Sequence, residues 1–264
     1  MFVFNDMNFQ WFRLNKLILW IPSLLYLNSQ QLKGQDSSAI FGFETPKDTA
    51  LLSRLDLWAT YYCIHQLNSK GYLPFKDIKG EGLGLFADTC DFCKAALEGT
   101  AFVKDSAGKI WVLNYDATGT ESLIDCRLCA NFRNSKLDVT RWGKVQWKVS
   151  EGFGDGVQNY KLVPYRTIAV DEKVVAIGSV IYIPAARGVK VLLPDSSAVV
   201  HDGYFFAADK GGAIKENHID VFSGTFEGNP FVDFIFSNPK NKFEAYLVED
   251  KTIIQQLTTL HKNR

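Results

Sequence analysis

Apolar residues along this chain fall into short runs separated by turn residues. Trp58–Ile64, Thr100–Lys104, Lys109–Tyr115 and Lys144–Val149 read as strands, followed by Arg166–Val170, Ser179–Pro184, Gly203–Ala208, Ile219–Phe222 and Glu244–Val248. Turn signals such as Ser106-Ala-Gly108, Gly152–Gly156 and Gly211-Gly212 punctuate them. Helical spacing is confined to Pro46–Leu57, where Leu51, Leu52 and Leu55 follow Asp48 and Thr49, and to Thr252–Leu260. Regularly spaced strands with few helices describe a mainly β protein, a barrel in preference to a sandwich. Residues 130–160 read as a loop-rich insertion.

The resulting organisation is an N-terminal segment at 1–34, a linker and short helix at 35–56, a β-barrel over 57–250 and a C-terminal helix or tail at 251–264. At 264 residues with 47% hydrophobic and 14% aromatic side chains, the chain is long enough to bury a sizeable core. Its formal charge is zero, and without residues 1–34 it holds 26 basic against 28 acidic side chains, so nothing advertises nucleic-acid binding.

Arg13 and Lys16 precede the apolar run Leu17–Leu27, which has the length of a signal peptide and is short for a membrane-spanning helix. Pro22 inside the run weakens it as a spanning helix. The segment reads as a signal peptide or a retained anchor, and the protein as exported to the periplasm or outer membrane of the cell envelope.

Five cysteines occur: Cys63, Cys90-x-x-Cys93 and Cys126-x-x-Cys129. Two such knuckles suit structural zinc, but their separation is longer than in zinc ribbons and an exported chain meets an oxidising compartment. Disulfides between Cys90, Cys93, Cys126 and Cys129 are favoured over zinc. Cys63, beside Tyr61, Tyr62 and Ile64, reads as a buried inert thiol.

Candidate chemistry concentrates in three aspartates. Asp209 closes an apolar run before Gly211 and Gly212, whose freedom of backbone conformation suits a tight turn. Asp220 lies inside the next run between Ile219 and Val221, and Asp171 ends Thr167–Val170. Converging carboxylates repel, which pushes one toward its protonated form, and a protonated aspartate near neutral pH is what protonation of a glycosidic oxygen requires. The bland reading of Asp171 and Asp209 is that they cap turns. His218 is two residues before Asp220 on the same strand face and is placed to touch substrate or order the site. The four histidines show no metal-ligand spacing, and no metal or cofactor is expected.

The run Arg166-Thr-Ile-Ala-Val-Asp171, then Ile177–Pro184, Asp209-x-Gly-Gly-Ala-Ile-Lys215 and Ile219-Asp220-Val-Phe222 resembles the three-aspartate (3D) domain, shared with the membrane-bound lytic murein transglycosylase A family. The likeness covers about Tyr165 to Gly224, with looser echoes in Trp58-Ala-Thr-Tyr-Tyr62 and Ala96-Leu-Glu-Gly-Thr100. It implies a double-psi β-barrel with short flanking helices, completed by the earlier strands, that binds peptidoglycan glycan strands. It also implies that Asp220 is the catalytic acid, assisted by Asp209. Substrate contacts are then expected from Asp171, Thr60, Tyr62, Gly211, Gly212, Lys215 and His218, with Tyr62 the best sugar-stacking candidate. In such enzymes one carboxyl protonates the leaving oxygen and then helps the sugar's own C6 hydroxyl attack, leaving a 1,6-anhydro end.

Three departures stand out: Lys210 where the family has a small or apolar residue, Glu216 in place of a glycine, and an insertion at 190–202. Lys210 is of the charge that lowers a neighbouring aspartate's pKa. Between Trp58 and Tyr165 too few residues lie to encode the family's large substrate-binding domain. A non-catalytic, expansin-like polysaccharide-binding barrel is the alternative function. An aspartic protease lacks its second Asp-Thr/Ser-Gly loop, and a zinc-stabilised interaction module would depend on the paired cysteines.

Overall fold

The computed structural model describes residues 41–262, so the N-terminal basic and apolar segment lies outside the described residues. In chain order the elements are β1 (Leu51–Tyr62), β2 (His65–Asn68), β3 (Leu73–Lys76), β4 (Gly82–Ala87), α1 (Thr89–Glu98), β5 (Thr100–Lys104) and β6 (Ile110–Thr118). They continue with β7 (Val145–Ser150), β8 (Thr167–Ala169), β9 (Val180–Tyr182), β10 (Lys190–Leu192), β11 (Ala198–Val200), β12 (Tyr204–Asp209), β13 (His218–Phe222), β14 (Phe243–Val248) and α2 (Lys251–Leu260).

Six strands close a barrel in the order β1-β13-β8-β12-β9-β14. Two neighbouring pairs, β1 with β13 and β12 with β8, run parallel, while the other pairs are antiparallel. This mixed closed barrel is the double-psi architecture. Its interior is filled by alternate residues of the strands, among them Leu57, Ala59, Ile168, Ile181, Phe205, Ile219, Val221 and Ala245. A second apolar layer, built by Tyr182, Tyr204, Phe206 and Val248 on the outer face, is covered by α2 through Leu257. Asp250 caps α2 by accepting from the amides of Thr252 and Ile253.

The helix expected over Pro46–Leu57 is absent. Only a 3-10 turn forms at Asp48–Ala50, and β1 begins at Leu51. Leu55, Leu57 and Ala59 follow a period of two, with Leu57 and Ala59 fully buried, and β14 supplies a hydrogen-bonded ladder from Leu51↔Val248 to Leu57↔Phe243. Helical spacing of three leucines loses to a strand that gains both a core face and a ladder.

The strands at 100–104, 110–118 and 145–150 do not complete the barrel. They join β2 in a separate four-stranded sheet, ordered β2-β5-β6-β7, beside the hairpin β3-β4. The segment between β1 and β8 thus builds a second lobe with its own core, in which Phe75, Phe92 and Trp147 meet at ring separations of 5.2–6.1 Å. The shortage of residues inferred from sequence does not prevent a second layer, because short strands and one helix make a compact core from few residues. Its helix α1 is capped by the Asp88 carboxylate and stopped at Gly99, which takes the left-handed conformation at φ 74°. The insertion at 190–202 folds as a separate hairpin, β10-β11, whose Val191 packs into the barrel's core cluster.

Arg166, which opens the aspartate-bearing segment, is buried. Its guanidinium forks onto both oxygens of Asp202 at 2.6 Å and lies 4.2 Å over the Phe41 ring.

Candidate active site

Parallel pairing of β1 with β13 sets Trp58 beside His218, Thr60 beside Asp220 and Tyr62 beside Phe222. Because Ala59, Ile219 and Val221 turn toward the barrel core, these three pairs occupy the opposite face. Each pair is in contact. The Trp58 and His218 rings stack at 3.6 Å, the Thr60 hydroxyl donates to Asp220 Oδ1 at 2.7 Å, and the Tyr62 and Phe222 rings lie 5.1 Å apart. His218 Nε2 also lies 2.8 Å from Thr60 Oγ1, so an imidazole, a hydroxyl and a carboxyl form a chain ending at Asp220.

Asp209 arrives from the other side. The central strand β8 pairs Ala169 with Asp220 on one flank and with Asp209 on the other, so the two carboxyls flank the smallest chiral side chain. Strand alternation from Phe205 and Ala207 would send Asp209 into the core, but the register shifts between Ala207 and Asp209. That irregularity re-aims the side chain toward the cleft, a common use of a bulge beside a functional site. Asp209 Oδ2 accepts from the Tyr62 hydroxyl and Oδ1 from the Lys210 amide, both at 2.8 Å.

Burial raises both carboxyls out of the usual range. Asp220 is pushed up to about 7 by desolvation, with the Asp209 charge adding to it and the Thr60 hydrogen bond opposing. Asp209 is raised to about 6 by burial, held down by the Tyr62 hydroxyl and the Lys210 amide. Burial thus favours the protonated form of both carboxyls and the Asp209 charge adds a further push on Asp220, the bias toward a retained proton that an acid needs. Tyr62 is raised well above its ordinary value by its own burial and by these anions.

The two carboxyls open onto a cleft of about 870 Å³ between barrel and second lobe. The barrel wall carries Tyr61, Tyr62, Asp209 and Asp220, and the facing wall carries Glu98, Asn114, Arg141 and Trp142. Glu98, whose carboxyl is raised to about 7 by burial and then by the Asp220 charge, is a functional candidate that sequence reasoning did not select. The only signal was its place in the echo Ala96-Leu-Glu-Gly-Thr100, since nothing local shows that a helix end from another lobe faces the aspartates.

The remaining candidates divide. Lys215, Gly211, Gly212 and Asp171 line the cleft. Thr60 and His218 do not; they sit behind Asp220 and order it. Asp171 caps a turn, accepting from the amides of Glu216 and Lys173, and these amides hold its carboxyl below the usual range, so it takes no part in the mutual repulsion of Asp209 and Asp220. Gly211 and Gly212 do not adopt left-handed conformations. Gly211 supplies room, since an added Cβ would stand 2.9 Å from Ile214 Cγ1, and the left-handed residue of the loop is Glu216 at φ 55°. Lys210 is exposed and meets Asp209 through its backbone amide, which is how it lowers that carboxyl. Tyr62 gives its hydroxyl to Asp209 and its ring to Phe222, leaving Tyr61 and Trp142 as the better-placed stacking surfaces. Trp147 and Tyr165 are core residues.

The paired cysteines form disulfides crosswise, Cys90 with Cys129 and Cys93 with Cys126. They fasten α1 to the segment that leads into Arg141 and Trp142. Cys63 is a buried free thiol raised to about 11 by burial. Among the described residues no group of metal-ligating side chains is assembled and no helix is long and apolar enough to cross a membrane.

Residues 166–228 match the 3D domain. The match takes in Asp171, Asp209 and Asp220, and it agrees with the likeness read from the motifs. No curated protein sequence matches the chain. Similar solved structures include MltA of E. coli with bound chitohexaose, at 13% identity over 73% of this chain and 71% of that one, with a TM-score of 0.48. The membrane-bound lytic murein transglycosylase of Agrobacterium tumefaciens gives 15% identity over 76% of each chain and a TM-score of 0.46. The lytic transglycosylase LtgG of Burkholderia pseudomallei gives 17% identity over 73% and 71%, with a TM-score of 0.36.

Proposed function

We propose that this protein, which carries a 3D domain at residues 166–228, cleaves the glycosidic bonds of peptidoglycan glycan strands by the lytic route, with Asp220 as the general acid. The observation that carries this reading is the placing of Asp220. It is a carboxyl that burial pushes up to about 7, that faces the cleft and that is oriented from behind by Thr60 and His218. A glycan strand laid along the cleft presents a bridging oxygen to Asp220. Proton transfer from Asp220 to that oxygen lets the C1–O4 bond break as the sugar becomes oxocarbenium-like. The sugar's own C6 hydroxyl then closes on C1 as its proton passes to the Asp220 carboxylate, an intramolecular attack that gains from high effective concentration and returns Asp220 to its protonated form.

Asp209, ionised and tied to Tyr62, keeps Asp220 protonated through its charge and favours the developing positive charge on the sugar. Lys215, Tyr61 and Trp142 on the cleft walls are the substrate contacts in this account, and no cofactor is called upon. We assign the protein to the cell envelope, with residues 1–34 as its export signal or anchor. Incubation of purified murein with the protein tests the reading: soluble muropeptides are released by the parent and not by a folded Asp220→Asn variant. Tight murein binding without release would replace it with the non-catalytic wall-binding barrel.

A further inference from the structure

We propose that Asn114 and Gly156 are positioning residues of this site: through the strap Gly154-Asp155-Gly156 they hold the bulge at Ala208 that aims Asp209 into the cleft. The part that Asp209 plays in turnover rests on the glycan-cleaving reading above.

Ala208 is the extra residue of β12 between the pairs Ala207↔Ile168 and Asp209↔Ala169. The carbonyls around it go to three different segments. Ala207 accepts from the Gly178 amide at 2.8 Å, Ala208 from the Val157 amide at 2.8 Å, and Asp209 from the Val170 amide at 3.0 Å. The first and last of these donors adjoin β9 and β8, the barrel neighbours of β12, whereas the bulged carbonyl depends on the strap. Gly156 is pressed against that carbonyl: an added Cβ would lie 2.2 Å from the Ala208 oxygen. Gly156 is not in the left-handed region, so this position calls for glycine by space alone.

The other side of the strap is fastened to the second lobe. Asn114 of β6 is buried and brackets Asp155 with both ends of its amide. Its Nδ2 donates to the Asp155 carbonyl at 2.7 Å, and its Oδ1 accepts from the Asp155 amide at 2.8 Å. The Thr100 hydroxyl of β5 donates to the same Oδ1 at 3.2 Å, which fixes the orientation of the amide. The Asp155 carboxylate accepts from Ser150 Oγ at 3.0 Å and pairs with Lys148 of β7 at 3.3 Å. Gly154, left-handed at φ 92°, permits this close approach, since a Cβ there would stand 2.3 Å from Asn114 Oδ1. The path is continuous from Asn114 to Asp155, from Val157 to Ala208, and on to Asp209, whose carboxyl meets the Tyr62 hydroxyl. The glycine-rich turn at 152–156 is thereby a joint between the second lobe and the aspartate-bearing strand.

A Cβ on Gly156 forces the strap or Ala208 to give way by about 1 Å, and a misplacement of that size in an active site costs up to about a hundredfold in rate. The test compares Gly156→Ala, Asn114→Ala and a control, Gly152→Ala, with the parent in murein release and in carboxyl-carbon NMR. Gly152 is a left-handed glycine of the same turn with nothing within 4 Å of an added Cβ. Gly156→Ala is expected to lower kcat by about ten- to a hundredfold with KM little changed, Asn114→Ala to lower it less, and Gly152→Ala to match the parent. With the Tyr62 hydrogen bond that holds Asp209 down lost, the Asp209 midpoint rises in the first two variants and stays in the control. An unmoved midpoint in the folded Gly156→Ala and Asn114→Ala variants overturns the proposal whatever the rate does, as does an equal loss of rate in Gly152→Ala. Where Gly156→Ala does not fold, Asn114→Ala, which adds no clash, decides alone. If the parent releases no muropeptides while the midpoint still moves in the variants, the glycan-cleaving reading fails and the strap's hold on Asp209 stands.

Discussion

Thr60 and Asp220 are register partners on adjacent parallel strands, and the Thr60 hydroxyl donates to Asp220 Oδ1 at 2.7 Å. With the Thr60 proton given to Asp220, Thr60 Oγ1 faces His218 Nε2 at 2.8 Å, and the imidazole is pinned by stacking on Trp58. A Thr60→Val substitution removes the hydrogen bond that holds Asp220 down, so the Asp220 pKa rises further. The alkaline limb of the activity profile moves to higher pH. The His218 Nε2 left without its partner costs about 1–3 kcal/mol of stability, read from chemical denaturation.

The raised aspartates also make folding pH-dependent. A carboxyl whose pKa is higher folded than unfolded contributes stability fully present below its unfolded value near 3.8 and lost as pH rises through the folded value, here about 6 for Asp209 and about 7 for Asp220. Asp209→Asn is expected to unfold with the parent's midpoint or below it at pH 4, and to be the more stable by on the order of 1 kcal/mol at pH 8. Melting curves at the two pH values check the crossover.

The crosswise disulfides close loops of 39 and 33 residues within the second lobe. Each is worth about 3–4 kcal/mol on the chain-entropy account. Reductant is expected to lower the melting temperature and expose Trp147 fluorescence to quencher, whereas a metal chelator changes neither.

Arg166 and Asp202 form a buried pair at the start of the 3D domain. Arg166→Met leaves the Asp202 carboxylate without its fork and costs about 3–5 kcal/mol, measured by denaturant unfolding. Exposed Lys190→Ala, as a control, stays within about 0.5 kcal/mol of the parent.

Legibility of the fold and the site in the sequence followed the range of the forces. Ile219-Asp220-Val221 already states that Asp220 faces away from the core, because two apolar neighbours fix strand parity. The barrel strands at 166–170, 179–184, 203–208, 219–222 and 244–248 were readable for the same reason. Asp209 was identified by its glycine turn, but its aim depends on a register shift that alternation hides. The leucines of 51–57 satisfy a helical template, and only the ladder with β14 decides for a strand. The cysteine spacing shows two pairs without their connectivity. Glu98 required knowledge that α1 ends at the cleft between lobes, a long-range fact fixed by the fold of the second lobe and its two disulfides.

The most direct measurement is mass spectrometry of the ends of fragments released from purified murein by the parent and by Asp220→Asn of matched folding. Muramyl ends lighter by one water, the 1,6-anhydro form, are expected from the parent alone. Reducing ends would contradict the lytic route, and equal release by Asp220→Asn would contradict the central role of Asp220.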